Sequence, residues 1–247
     1  MSARLPSARD AHPHNARAYD ARARVLRALE VPALVLVPCA MGACAYLGAS
    51  ASAALTLLSA VLALLLFFAS YEASRPALRQ VMPATTMAAV AAAGRILFAP
   101  VPNVQPVSAI VIVAGATLGR RNGFMVGALA ALASNFFFGQ GEWTPWQMYA
   151  WGLMGYLAGA LAATGALEHR WALFSFGFVA SLGYGLLLNG FYILGYVKPL
   201  TWGGALSAIA LAAPFDILHA ASTVTFLALV WLPWGRSIRR VVRKYSL

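Results

Sequence analysis

The chain has 247 residues, 61% of them hydrophobic and 10% charged, with a net charge of +11. Soluble domains are nearer half apolar and about a quarter charged, so a soluble domain is excluded. At roughly 20 residues per span, about eight helices fill the length and leave no room for an appended ATPase, a Rossmann domain or another soluble catalytic unit.

The apolar runs are continuous rather than alternating, which excludes a transmembrane β-barrel. The expected fold class is all-α, a polytopic membrane helix bundle. Arg4, Arg9, Arg17, Arg22, Arg24 and Arg27 crowd one end of the chain, and Arg236, Arg239, Arg240, Arg243 and Lys244 crowd the other. Most other cations fall in short connections, the pattern of a protein that meets anionic lipid headgroups rather than nucleic acid. Cys39 and Cys44 lie in one apolar run at a spacing that puts them on different sides of a helix, so they read as packing residues, not as a disulfide or metal site.

Residues 1–30 read as a basic cytoplasmic tail containing His12 and His14, with an interfacial basic helix from about Tyr19 to Glu30. No charge separates Glu30 from Glu72. That stretch would be roughly 60 Å long as one helix, twice the hydrocarbon thickness, so 31–72 is expected to fold into a hairpin. Its helices fall near 32–48 and 53–71 and its turn at Gly48-Ala49-Ser50-Ala51-Ser52. An alternative makes 1–53 a leader cleaved at the small-residue run.

Six further apolar runs follow, at about 81–98, 106–119, 123–140, 147–166, 171–194 and 204–233, with Pro214 positioned to kink the last. Eight spans put both termini in the cytoplasm, together with Arg75, Arg79, Arg120, Arg121 and Arg170. Only Arg95 and Lys198 fall toward the outside. The expected location is the cell membrane, with a basic cytoplasmic tail over 236–247.

Three connections then face outward: 98–106 with Asn103 and Gln105, 140–147 with Gln140, Glu142, Trp143, Trp146 and Gln147, and 195–202. Stiff loops carrying aromatic rings and amides suit capture of a ring-bearing small molecule. The competing reading of Trp143, Trp146 and Trp151 is an interfacial aromatic belt. Polar residues inside spans each need an account. Arg95 could snorkel or pair with Glu142, and Asn135 and Asn189 could offer amides to a ligand or bond a neighbouring helix. Asp216 and His219, at i and i+3, could bond each other, relay protons or serve as polar glue. Ala84, Ala88 and Ala92 form a small-xxx-small stripe that would admit another helix, from a partner or from within the bundle.

Together these features resemble the S-component, the substrate-binding subunit of energy-coupling factor (ECF) vitamin transporters. The likeness rests on the Ala84/Ala88/Ala92 stripe, on Gly94-Arg95-Ile96-Leu97-Phe98-Ala99-Pro100-Val101-Pro102-Asn103-Val104-Gln105-Pro106, and on Pro214-Phe215-Asp216-Ile217-Leu218-His219-Ala220. It also rests on Ser134-Asn135-Phe136-Phe137-Phe138-Gly139-Gln140-Gly141-Glu142-Trp143-Thr144-Pro145-Trp146-Gln147-Met148, which looks most like the cobalamin-type branch. It implies a six-helix S-component-like domain over 80–235, preceded by two extra helices.

It also implies capture of a vitamin from outside, with cobalamin first and a queuosine precursor, a thiamin precursor or another flat heterocycle as alternatives. The subunit would dock through Ala84, Ala88 and Ala92 on a transmembrane T-component powered by two ABC-type ATPases, with no chemistry, cofactor or metal of its own. The chain has no GxxxxGK[ST] phosphate loop. Two rival readings remain: an intramembrane enzyme using Asp216 and His219, although no Gly-x-Ser-x-Gly or His-Glu-x-x-His occurs, and a ligand-free assembly factor.

Overall fold

The computed structural model describes residues 13–47 and 52–245. The expected turn at 48–51 and the first twelve residues of the basic tail lie outside the described residues. Eight helices follow in order: α1 (Pro13–Leu47), α2 (Ser52–Ala73), α3 (Leu78–Leu97), α4 (Val107–Leu118), α5 (Arg120–Phe138), α6 (Trp143–Ala163), α7 (Arg170–Tyr196) and α8 (Trp202–Tyr245). No strand occurs among the described residues, and the chain is an all-helical membrane bundle. Ala21–Leu47, Ala53–Ala73, Arg170–Tyr196 and Trp202–Trp231 are long and apolar enough to cross a membrane, while Val81–Leu97 and Val107–Leu118 are shorter apolar helices.

Three helices extend beyond their apolar runs. Hydropathy falls where charge begins, but backbone hydrogen bonding need not stop there. Thus α1 joins the basic segment to the first apolar run and passes through Pro32 and Pro38, while α8 passes Pro214 and enters the basic C-terminal segment. In the same way α6 starts at Trp143 rather than near 147. Pro145 is tolerated because the first-turn N–H groups have no intrahelical partner.

The centre of the bundle is α4, buried from Val107 to Gly115, with α5 and α6 against it. Here backbones meet without side chains between them. A Cβ on Gly155 would strike the Gly123 backbone, one on Gly115 or Gly123 would strike the Gly155 carbonyl, and one on Gly127 would strike the Trp151 carbonyl. Two GxxxG spacings, Gly123–Gly127 and Gly155–Gly159, supply this approach, the geometry that lets helices associate where lipid removes the hydrophobic drive.

The α1–α2 hairpin packs on α6 and α7. Phe67 stacks on Phe124 at 3.9 Å and meets Tyr156 edge-on at 5.5 Å. Pro38 has no N–H, so the Leu34 carbonyl loses its helical partner, and the Tyr149 hydroxyl donates to that carbonyl at 2.5 Å. In an apolar interior no water would replace this bond. Tyr149→Phe is therefore expected to cost about 1–3 kcal/mol, read as a lower melting temperature in detergent. Glu30 is wholly buried, contrary to its expected place at the membrane surface, and accepts from Ser70 at 2.5 Å and Arg121 at 2.7 Å.

Ala84, Ala88 and Ala92 are 3%, 4% and 6% exposed and lie inside the chain's own core. The exposed face of α3 instead carries Met82, Thr85, Thr86, Ala89, Val90 and Ala93.

Candidate functional site

The inward face of α3 runs through positions 84, 88, 91, 92 and 95, so helical periodicity delivers Arg95 to the interior. It arrives at the end of the bundle where α3 and α5 finish and α4 and α6 begin. Arg95 is 8% exposed. Its Nη1 donates to Ser134 Oγ at 2.6 Å and Asn135 Oδ1 at 2.7 Å. The guanidinium carbon lies 4.4 Å from the Phe138 ring centre and 5.0 Å from that of Trp151. Nε is buried without a hydrogen-bond partner. Among the described residues no carboxylate lies within ion-pair distance of it.

The surrounding groups come from α4 to α8, so that with Arg95 all six helices from α3 onward contribute. Asn135 Nδ2 donates to Gln147 Oε1 at 2.8 Å and to Thr144 Oγ1 at 3.1 Å. Trp151 Nε1 donates to Ser108 Oγ at 2.9 Å, and Ser108 pairs with His219 Nε2 at 2.8 Å. Tyr184 stacks on Trp151 with centroids 4.6 Å apart and meets the His219 ring edge-on at 5.1 Å. The result is a cation, amide donors and acceptors, and stacked aromatic faces in one largely buried cluster. Charge-assisted bonds are strongest in such surroundings.

The residues singled out in the sequence separate into two groups. Arg95, Asn135, Gln147 and His219 meet in the cluster, and Trp151 forms one of its walls. Trp146 is buried beside it, stacked on Phe191 at 5.7 Å, with its Nε1 unpartnered. Asn189 donates to Asp216 at 2.8 Å, so Asp216 and His219 take different partners although they share a face of α8.

The remainder stay near the surface. Gln140 accepts from Thr144 at 2.9 Å and donates to the Leu132 carbonyl at 3.1 Å, tying the α5–α6 connection together. Glu142 accepts from Tyr196 at 3.3 Å rather than pairing with Arg95. Trp143 folds back over Gly141, Asn103 takes a left-handed turn conformation at φ 61°, and the Gln105 backbone N–H donates to Ser222.

Ser108, Ser134, Thr144 and Tyr184 were not singled out from the sequence. A signal existed for Tyr184, a polar aromatic in the middle of an otherwise apolar run. Hydroxyl residues gave none, because a helical serine usually bonds its own backbone.

Six helices converge buried polar and aromatic groups at one end of a membrane bundle whose exterior is apolar, and buried polar groups in such a bundle call for an account. Residues 78–230, from α3 into α8, match the family model described as ECF-type riboflavin transporter, S component, and the chain belongs to that family. It is accordingly a substrate-binding transport subunit rather than an enzyme. No curated protein and no solved structure matches the chain. The α1–α2 hairpin precedes the matched segment.

Proposed function

We propose that the Arg95 cluster receives a planar heterocyclic vitamin from outside and that the subunit delivers it inward with a T-component and two ABC-type ATPases. One observation carries this reading: a buried guanidinium with no acid beside it among the described residues and an unpartnered Nε, lying against Trp151. Such a cation is costly in a bundle, and a ligand carbonyl or anionic edge would complete its bonding. Asn135 and Gln147 would read an edge of alternating donors and acceptors, while Trp151 and Tyr184 would take the ring face. Riboflavin, named in the family description, has such an edge and such a ring.

Cobalamin is the second reading. It is supported by the resemblance of 134–148 to the cobalamin-type branch and by the exposed Phe136, Phe137 and Trp143 at the rim. Tryptophan-fluorescence titration of the purified chain with riboflavin, cobalamin and thiamin tests both. One ligand is expected to saturate at submicromolar concentration, and failure of all three would contradict the reading.

Docking on the T-component is proposed through the exposed face of α3, where Thr85, Ala89 and Ala93 repeat every four residues. Ala89→Trp is expected to leave ligand binding intact and abolish uptake in cells. Ala88→Trp, at a buried position, should instead reduce the yield of folded protein. Cytoplasmic termini are supported by Arg75, Arg79, Arg120, Arg121 and Arg170, which fall at the end of the bundle opposite Arg95.

A further inference from the structure

At that opposite end a polar cleft of about 330 Å³ opens between the hairpin and the start of α5, lined by Arg27, Tyr71, Ser74, Leu118, Arg121 and Asn122. Its two cations come from segments far apart in sequence, one on the hairpin and one on the matched core. The bond from Arg121 to Glu30 uses Nε, which fixes the guanidinium and leaves its two terminal amino groups for the cleft. Ser70 donates to the same Glu30 oxygen, Oε1, and the buried carboxylate stands behind Arg121 and does not line the cleft.

The neutral groups are ordered as well. The Tyr71 hydroxyl donates to Asn122 Oδ1 at 3.0 Å, Asn122 Nδ2 donates to the Leu118 carbonyl at 2.9 Å, and Ser74 Oγ donates to the Tyr71 carbonyl at 2.6 Å. The helix α5 starts here after Gly119 with no side-chain cap. Arg121 and Asn122 of its first turn line the cleft, at the positive end of the helix dipole.

The geometry points to a binding site for a phosphate-bearing anion, held by Arg27, Arg121 and the N-terminus of α5. Two guanidiniums, with the second amide hydrogen of Asn122 beside them, match the oxygens of a phosphate diester or monoester. The source is an anionic phospholipid headgroup or a soluble phosphate. Either would bridge the hairpin to the core. The site is independent of what the Arg95 cluster binds.

The test uses the full chain, delipidated in detergent at constant ionic strength. Its melting temperature is followed against phosphatidylglycerol, phosphatidylcholine and inorganic phosphate, since a ligand of the native state raises it. Phosphatidylglycerol is expected to stabilise the chain and phosphatidylcholine is not. Arg27→Gln should weaken the phosphatidylglycerol response about fivefold without changing the lipid-free melting temperature. Asn122→Asp, which places a carboxylate in the cleft, should weaken it further.

Arg170→Gln removes the same charge outside the cleft and should leave the response unchanged. An Arg27-dependent response to inorganic phosphate as well assigns the soluble source, and one confined to phosphatidylglycerol assigns the lipid. Equal losses in Arg27→Gln and Arg170→Gln, or no loss in Arg27→Gln and Asn122→Asp, would mean general surface charge and overturn the site.

Discussion

Arg95→Gln is expected to weaken ligand binding at least thirtyfold while leaving the melting temperature of the ligand-free chain unchanged or higher. Glutamine can still donate to Ser134 Oγ or Asn135 Oδ1, the two acceptors that Arg95 now uses, so the local hydrogen bonding survives. What disappears is a buried positive charge with no acidic partner among the described residues. Removing the cation from a desolvated contact with a ligand acceptor costs about 2 kcal/mol or more, which is the thirtyfold change. Without ligand the same charge is a burden on the folded state, so its loss should not destabilise it. Calorimetric titration and thermal melting of the same preparation read the two effects. A variant that loses stability and affinity together would make Arg95 a structural tie between α3 and α5 instead.

Gly155→Leu is the largest stability change expected. A side chain there has no cavity to enter, because its first carbon already meets the Gly123 backbone. Overpacking a core commonly costs about 1–3 kcal/mol when side chains can shift. Here only helix axes can move, and α4, α5 and α6 all meet at this crossing, so the expected result is little or no monodisperse protein after detergent extraction. Gly155→Ala should give a milder, measurable fall in melting temperature. Wild-type yield and stability for Gly155→Leu would show that the three backbones do not approach this closely.

The bundle was legible because apolar runs report the cost of exposing side chains to water, and each described helix is built around one. Their ends were less legible. Trp143 to Gln147 reads as a loop by its polarity and Pro145, yet these residues form the first turn of α6, where a proline costs no hydrogen bond. Helix periodicity also carried more than the spacing of the alanines alone suggests. Positions 84, 88 and 92 lie on the same face as 95, so the stripe and the arginine point the same way. Ala84 and its repeats could not face a partner helix while Arg95 faced the interior.

The Gly123–Gly127 and Gly155–Gly159 spacings were equally readable and mark a crossing where backbones meet directly. What no local pattern could supply were the partners across the bundle. Arg95 meets Ser134, Ser108 meets His219, and Glu30 meets Arg121 across long separations in sequence. Each pairing depends on how helices are arranged around one another, which periodicity within a helix does not specify. Asp216 shows the same limit: its spacing to His219 was correct for a shared face, but α7 supplied Asn189 as its partner.

The cluster around Arg95 is proposed as the seat of the transported molecule. A structure of the full chain purified with its retained ligand would show whether it is. The predicted result is a planar ring against Trp151 and Tyr184, with a ligand oxygen or nitrogen acceptor within about 3 Å of the guanidinium of Arg95. A ligand bound elsewhere, such as the apolar groove between α6 and α7 beside Leu153 and Leu187, with Arg95 still enclosed by Ser134, Asn135 and Phe138, would contradict it.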